Sequence, residues 1–387
     1  MTDTTLASLD ADTLRQFTDS VQRYGQDKYG FDTYRALLRA APGFGRQAWS
    51  DYADMGWLGA ALSLDEGGFG SDPQAIAELM RYAGEHLALE PLFATAVVSG
   101  RLLALCGGSP ARSRLEELAA GRRLVALAHA EASGDAFDGV VRSGSRDGKL
   151  YGRKCVVLHG DAADELIVSA CEPVADGTYG EDAQQPVLSL YAVNIAQAGV
   201  RKTTYHLLDG RGAASFEFDG AAATLLGQRG EGRAVLAQAL LDARLALCAE
   251  SHGAMRALNR LTLAYLKERR QFGRPIGTNQ ALQHRMVELY MLEQEAAAVI
   301  AATHRTVGLA GPQRERAVMG AVAHVITAGR QISHEAVQMH GGIGTTDELA
   351  VGHYFKRIMV TNRLLGDRDA HLDAFSRADS ACATGAE

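Results

Sequence analysis

From about residue 229 to the C-terminus, the sequence reads as a series of long amphipathic helices cut by glycine-bearing breaks. No other stretch limits the possible folds of the chain as strongly. The spacing of apolar residues predicts helices over Gly230–Phe272, Ala281–Leu309, Pro312–His340 and Asp347–Arg377, separated by "FGRPIG", "GLAGP" and "HGGIG". Glycine is costly inside a helix and common just past its end, so these breaks mark turns. Four long helices that must each bury one apolar stripe, joined by short turns, pack as an antiparallel bundle.

The rest of the chain has two other textures. At 387 residues it exceeds one compact core, so two or three domains are expected. Residues 1–120 read as a helical domain with glycine-rich turns; "LSLDEGGFGSD" breaks at Gly67, Gly68 and Gly70, with a cap for the next helix near Ser71 or Asp72. Residues 121–228 carry the short apolar runs "LVALAHA", "GRKCVVLHG", "DELIVSAC", "PVLSLYAV" and "AASFEFDG", spaced like the strands of a small antiparallel β domain. "EPVADGTYGEDAQQP" is a polar loop between two of them. The expected class is α+β: N-terminal helices, a central β domain and a C-terminal four-helix bundle over 229–387.

Several functions are disfavoured early. The formal net charge of -7 argues against nucleic acid or an anionic membrane as the main partner. No apolar run is long enough to span a bilayer, and "MTDTTLASLDADTLRQF" has neither the basic nor the apolar region of a secretory signal. Five scattered cysteines without a C-x-x-C pair fit reduced thiols in a cytoplasmic protein and no metal site. His129, His159, His284 and His340 are too far apart to suggest a ligand set. Ser133 and Ser143 lack a nucleophile-elbow context.

Two turns of the bundle each admit two explanations. In "ERRQFGRPIGTNQALQH", Arg269 and Arg270 complement a helix dipole, which is reason enough for them. The same arginine beside a tight turn, with Gln280 opening the next helix and Phe272 as an apolar wall, also suits an anionic ligand such as a pyrophosphate. In "VQMHGGIGTTDEL", Gly341, Gly342 and Gly344 make an ordinary helix cap, or else let a phosphate or adenine approach the backbone beside Gln338. The glycines follow no strand, so they are not a Rossmann fingerprint.

Taken together, these motifs resemble the acyl-CoA dehydrogenase family over nearly the whole chain. "WSDYADMGWLGAALSLDEGGFG", "FEFDGAAATLLGQRGEG", "RRQFGRPIGTNQ" and "QMHGGIG" all resemble that family's patterns. The resemblance implies FAD, bound extended at a subunit interface, with the adenine and pyrophosphate end held by a neighbour's bundle. It assigns that contact to Arg269, Gln271, Phe272, Gln280, Gln338, Gly341 and Gly342. It also implies an acyl-CoA substrate, desaturated by α-proton abstraction and hydride transfer to FAD.

Three departures from the family pattern fall on the flavin-ring and substrate side. "AHAEASGDAFD" keeps Glu131, but Ala130 and Ala132 replace a threonine and a proline. "YGRKCVVLHG" keeps Gly152, Lys154 and Gly160, with Val156 and Leu158 where an aromatic and a threonine belong. In "TNRLLGD", Leu365 stands at the family's usual glutamate base, and Ala243 falls on or near the alternative base position. Neither side chain can take a proton, a role that contributes orders of magnitude in rate. "LHGDAADELIVSA", "GTTDELAVGHYFKRI" and "LLGDRDAHL" resemble small subunits of pimeloyl-CoA-type and steroid-side-chain acyl-CoA dehydrogenases. The resemblance therefore implies a non-catalytic subunit of an α2β2 heterotetramer, whose homologous catalytic partner supplies the glutamate. The alternatives are a homomeric enzyme with a base displaced to Glu250, Asp367 or Asp369, or a non-dehydrogenating or binding protein on the same fold.

Overall fold

The computed structural model describes residues 9–40, 43–59, 62, 68–69, 72–131, 140–173, 187–306, 309 and 311–384. The expected loop at 174–186, Ser71, Ala132, Ser133 and most of "LSLDEGGFG" lie outside them. The helices are α1 (Ala11–Lys28), α2 (Phe31–Leu38), α3 (Arg46–Asp54), α4 (Pro73–Glu85), α5 (Gly100–Cys106), α6 (Gly108–Ala119), α7 (Gly232–Glu268), α8 (Gln280–His304), α9 (Pro312–His340), α10 (Ala350–Leu365) and α11 (Arg368–Thr384). The strands of the main sheet are β1 (Val125–Ala128), β2 (Gly144–Arg146), β3 (Lys149–Leu158), β4 (Glu165–Cys171), β5 (Leu188–Asn194), β6 (Val200–His206), β7 (Gly212–Ala222) and β8 (Thr224–Leu226). By internal contacts the chain forms two compact units. One gathers residues 1–11, 37–76 and 89–243; the other gathers 12–36, 77–88 and 244–387.

The first unit is built on the sheet, in the order β6-β7-β3-β2-β4-β5-β8, with β1 beside β4. β4 is buried along its length, as its unbroken apolar run requires. β2 and β3 form a tight hairpin in which Asp147 and Gly148 both take positive φ, the backbone of a type I′ turn. Most neighbours are antiparallel, but β1 and β2 both run parallel to β4. This corrects the expectation of a purely antiparallel sheet: connections set strand direction, and composition carries no record of it. Thr95 and Ser99 donate hydroxyl bonds to the carbonyl of Val125, at 2.9 and 3.0 Å, docking the helical turn Leu92–Ser99 on β1.

The second unit is helical. The end of α4 crosses α7 at backbone distance: a Cβ on Gly84 would strike the Glu250 carbonyl, and one on Gly253 the Arg81 carbonyl. The single helix expected over Asp347–Arg377 is two. α10 ends at Leu365, Gly366 takes φ 106°, and the Asp367 carboxylate then caps α11 by accepting from the amides of Asp369 (2.8 Å) and Ala370 (3.0 Å). The apolar pattern runs through this break, while glycine and a capping aspartate together interrupt the backbone.

Candidate functional site

The turn after α7 is a two-stranded hairpin pairing Gln271 with Arg274, closed by Phe272 and Gly273 at φ 52° and 81°. Glycine suits that backbone and phenylalanine does not. The strained Phe272 side chain projects fully into solvent. The Ile276 amide donates to the Arg269 carbonyl at 2.8 Å and fixes the hairpin base. Arg269, Gln271, Gln280 and Gln338 are exposed, and their side chains make no hydrogen bond among the described residues. The second turn leaves α9 at His340 and winds through Gly341–Thr345. Gly341 needs glycine for its φ of 67°. A Cβ on Gly342 would meet nothing, so packing within the chain does not explain its glycine.

Neither base position holds an ionisable group. Leu365 is completely buried, and its carbonyl accepts a 2.7 Å bond from His371 Nε2. Ala243 is also buried. The adjacent Asp242 accepts from Arg101 Nε at 2.9 Å. Glu250 is buried against Arg357, whose Nη1 lies at 3.1 Å and whose Nη2 donates to the carbonyls of Leu87 and Ala88. Asp367 is a helix cap, and the amides of Ala370 and Asp369 hold its carboxyl below the usual range. Asp369 is exposed beside Arg368 at 2.7 Å. The carboxylates nearest the base positions in sequence, Asp242, Glu250, Asp367 and Asp369, are thus held in structural contacts. The partners of Asp242 and Glu250 lie 141 and 107 residues away, beyond any local motif.

On the sheet, Lys154 is completely buried, and Nζ donates to Glu131 Oε1 (2.6 Å), the His129 carbonyl (3.0 Å) and Ser169 Oγ (3.2 Å). Glu131 also accepts from the amides of Arg142 (2.7 Å) and Ser143 (2.9 Å). Two residues on, the β3–β7 register slips between Lys154 and Val157, and Val156 takes φ 50°. Its amide donates to Tyr205 Oη at 2.9 Å. Leu158 and Ala130 are buried. Tyr205 was not singled out from sequence, because β6 shows no apolar alternation. His129, His159 and His340 are buried, His284 is exposed on α8, and Ser143 donates to the Arg153 carbonyl at 3.4 Å. Cys106, Cys155, Cys171 and Cys248 stand outside any disulfide. Among the described residues, no cluster of His, Cys, Asp or Glu is disposed to hold a metal ion, and no helix is long and apolar enough to cross a membrane.

N-terminal helices, a central sheet and a C-terminal helical domain are the acyl-CoA dehydrogenase fold. The chain superposes on a variant of the Tcur3481-Tcur3483 steroid ACAD with a TM-score of 0.84 at 26% identity, covering 96% of this chain and 99% of that one. A chain of the ChsE4-ChsE5 complex from Mycobacterium tuberculosis gives 0.83 at 22% identity, covering 97% and 98%, a likeness of fold alone. In sequence, the chain is 28% identical over 336 residues to acyl-CoA dehydrogenase IpdE2 of Mycolicibacterium smegmatis, spanning 87% of this chain and 88% of that protein. Residues 230–378 match the acyl-CoA dehydrogenase C-terminal domain. The chain thus has the fold of the acyl-CoA dehydrogenases, FAD-using oxidoreductases that act on CH–CH bonds, and is similar to that family's C-terminal domain over residues 230–378.

Proposed function

We propose that this chain is the non-catalytic subunit of a heteromeric FAD-dependent acyl-CoA dehydrogenase. It lends the adenine and pyrophosphate half of the cofactor site to a homologous catalytic partner in an α2β2 complex, and that partner supplies the glutamate base. The observation that carries this is a contrast. The bundle turns present an unpartnered guanidinium, three unpartnered amides and two glycines to the outside, which is a donor set suited to a pyrophosphate. Both base positions are apolar and buried.

On the sheet the residues fit a flavin ring poorly. Leu158 has no hydroxyl to donate, and the Val156 amide is already bonded to Tyr205. When bound, FAD accepts the hydride from the β-carbon of the acyl-CoA. This chain's part would be to bind and orient: Arg269 would pair with the pyrophosphate, Gln271, Gln280 and Gln338 would donate around it, Phe272 would cover it, and Gly341 and Gly342 would admit it to the backbone. A displaced base within this chain finds no support, since Glu250, Asp367 and Asp369 serve elsewhere. Thiols outside any disulfide suit the reducing cytoplasm. Likeness to a steroid acyl-CoA dehydrogenase makes a steroid-derived acyl-CoA the first substrate to try.

The test is anaerobic mixing with acyl-CoA, followed at the flavin absorption band. The chain alone should give no bleaching, even as Leu365→Glu. The co-expressed complex should bleach, and should stop doing so when the partner's glutamate is replaced. Rapid bleaching by this chain alone would refute the assignment.

A further inference from the structure

The two cofactor-facing turns come from different helices, and each is exposed and rich in glycine. Left to themselves such turns wander, and a ligand that binds them must first order them. One contact joins them directly. Tyr265, one turn before the end of α7, stacks on His340, the last residue of α9, with ring centroids 4.4 Å apart and planes 25° apart. Tyr265 Oη also donates to the His340 carbonyl at 3.3 Å.

We propose that Tyr265 and His340 are a positioning pair that locks the arginine-bearing turn to the glycine turn, so that their cofactor-facing groups act as one surface. This rests on the cofactor role proposed above for the two turns. Both turns are anchored at the pair. The Arg269 amide closes the last helical bond on the Tyr265 carbonyl at 2.8 Å, and Ile276 in turn bonds the Arg269 carbonyl. Gly277 sits on the neighbouring Leu266, whose carbonyl a Cβ would meet at 2.7 Å. On the other side, His340 Nδ1–H donates to the Ala336 carbonyl at 2.8 Å, which fixes the ring. Gly344 folds back onto the same residue, where an added Cβ would meet the His340 Cβ at 2.9 Å. Burial pushes the imidazole below its ordinary pKa, so a neutral ring faces the tyrosine.

A merely stabilising aromatic pair would predict lower thermal stability and nothing local to the turns. The experiment therefore reads two things in the full-length chain and the assembly it forms: amide hydrogen exchange over 269–279 and 341–346, and FAD affinity by fluorescence titration. His340→Leu should speed exchange in both turns and weaken FAD binding, each by about tenfold, on the scale of one lost aromatic pair. His340→Phe keeps the stack and should stay within about threefold of the parent on both readouts. Unchanged exchange over 269–279 in His340→Leu overturns the pairing. So does unchanged FAD affinity when Arg269→Ala, run beside it, weakens binding. If Arg269→Ala leaves FAD affinity unchanged, the cofactor role of the turns has failed, and the pair falls with it as a positioning device. Should His340→Leu not fold, Tyr265→Phe removes only the hydroxyl bond: faster exchange over 341–346 supports the lock, and unchanged exchange there overturns it.

Discussion

Lys154 keeps no exposed surface, and a lysine buried so deeply persists only where its charge is met and its donors are used. Glu131, the His129 carbonyl and Ser169 meet both needs. Removing one partner of a buried pair leaves the other uncompensated, so Lys154→Met should cost about 3–5 kcal/mol in urea unfolding. The double variant Lys154→Met/Glu131→Gln should recover most of that loss. Acidification gives a second readout. Burial alone would push the Glu131 carboxyl up; the Lys154 charge, with hydrogen bonds from Lys154 and the Ser143 and Arg142 amides, overcomes it and holds the group below the usual range. A carboxyl depressed in the fold contributes its stability above the unfolded value, about 4.3, and loses it as pH falls through the folded value. The urea midpoint should therefore drop more steeply on acidification in the parent chain than in the double variant; equal slopes would mean that the pair contributes nothing. Glu131 and Lys154 were both legible in sequence as motif positions. Their pairing was not, and neither was that of Glu250 with Arg357, because the apolar spacing of a single helix carries no information about a partner 107 residues away.

At the scale of elements, legibility followed local periodicity. β4 and β5 announced themselves as apolar runs, whereas β6, "VRKTTYH", is an edge strand exposed along most of its length and shows neither a run nor an alternation. The break between α10 and α11 had its cue in "GD", yet the apolar repeat across it suggested one helix. The structure assigns that glycine a specific job. At φ 106° an L-residue is strained, and a Cβ there would sit 3.1 Å from His371 Nε2, the atom that holds the Leu365 carbonyl. Gly366→Ala should therefore lower stability by about 1–3 kcal/mol. Calorimetry checks this, and hydrogen exchange should show the loss concentrated at the end of α10. A neutral outcome would mean that the joint relaxes without strain.

For the whole molecule, the succession of helices, sheet and helices could be read directly, since each texture is local. The grouping of residues 12–36 with 244–387 could not, because it rests on tertiary contacts such as the bond between Tyr34 Oη and His353 Nδ1 at 3.2 Å. What the second unit leaves uncovered bears on assembly. On α8, Val287, Tyr290 and Met291 are 57%, 57% and 54% exposed at positions i, i+3 and i+4, which lie on one helix face. Scattered apolar residues on a surface need no explanation, but an aligned set beside turns proposed to reach a neighbour's cofactor does. The proposed α2β2 complex would supply one: in it the homologous partner would cover this face and so bring the arginine and glycine turns within reach of its FAD. Tyr290→Glu/Met291→Glu should then shift the co-expressed complex to smaller species by light scattering. Flavin content at limiting FAD should fall in parallel, although neither residue lies in the cofactor turns. Unchanged mass with unchanged flavin would exclude this face from the subunit contact. Unchanged mass with lost flavin would mean that α8 acts on the cofactor turns within the chain itself.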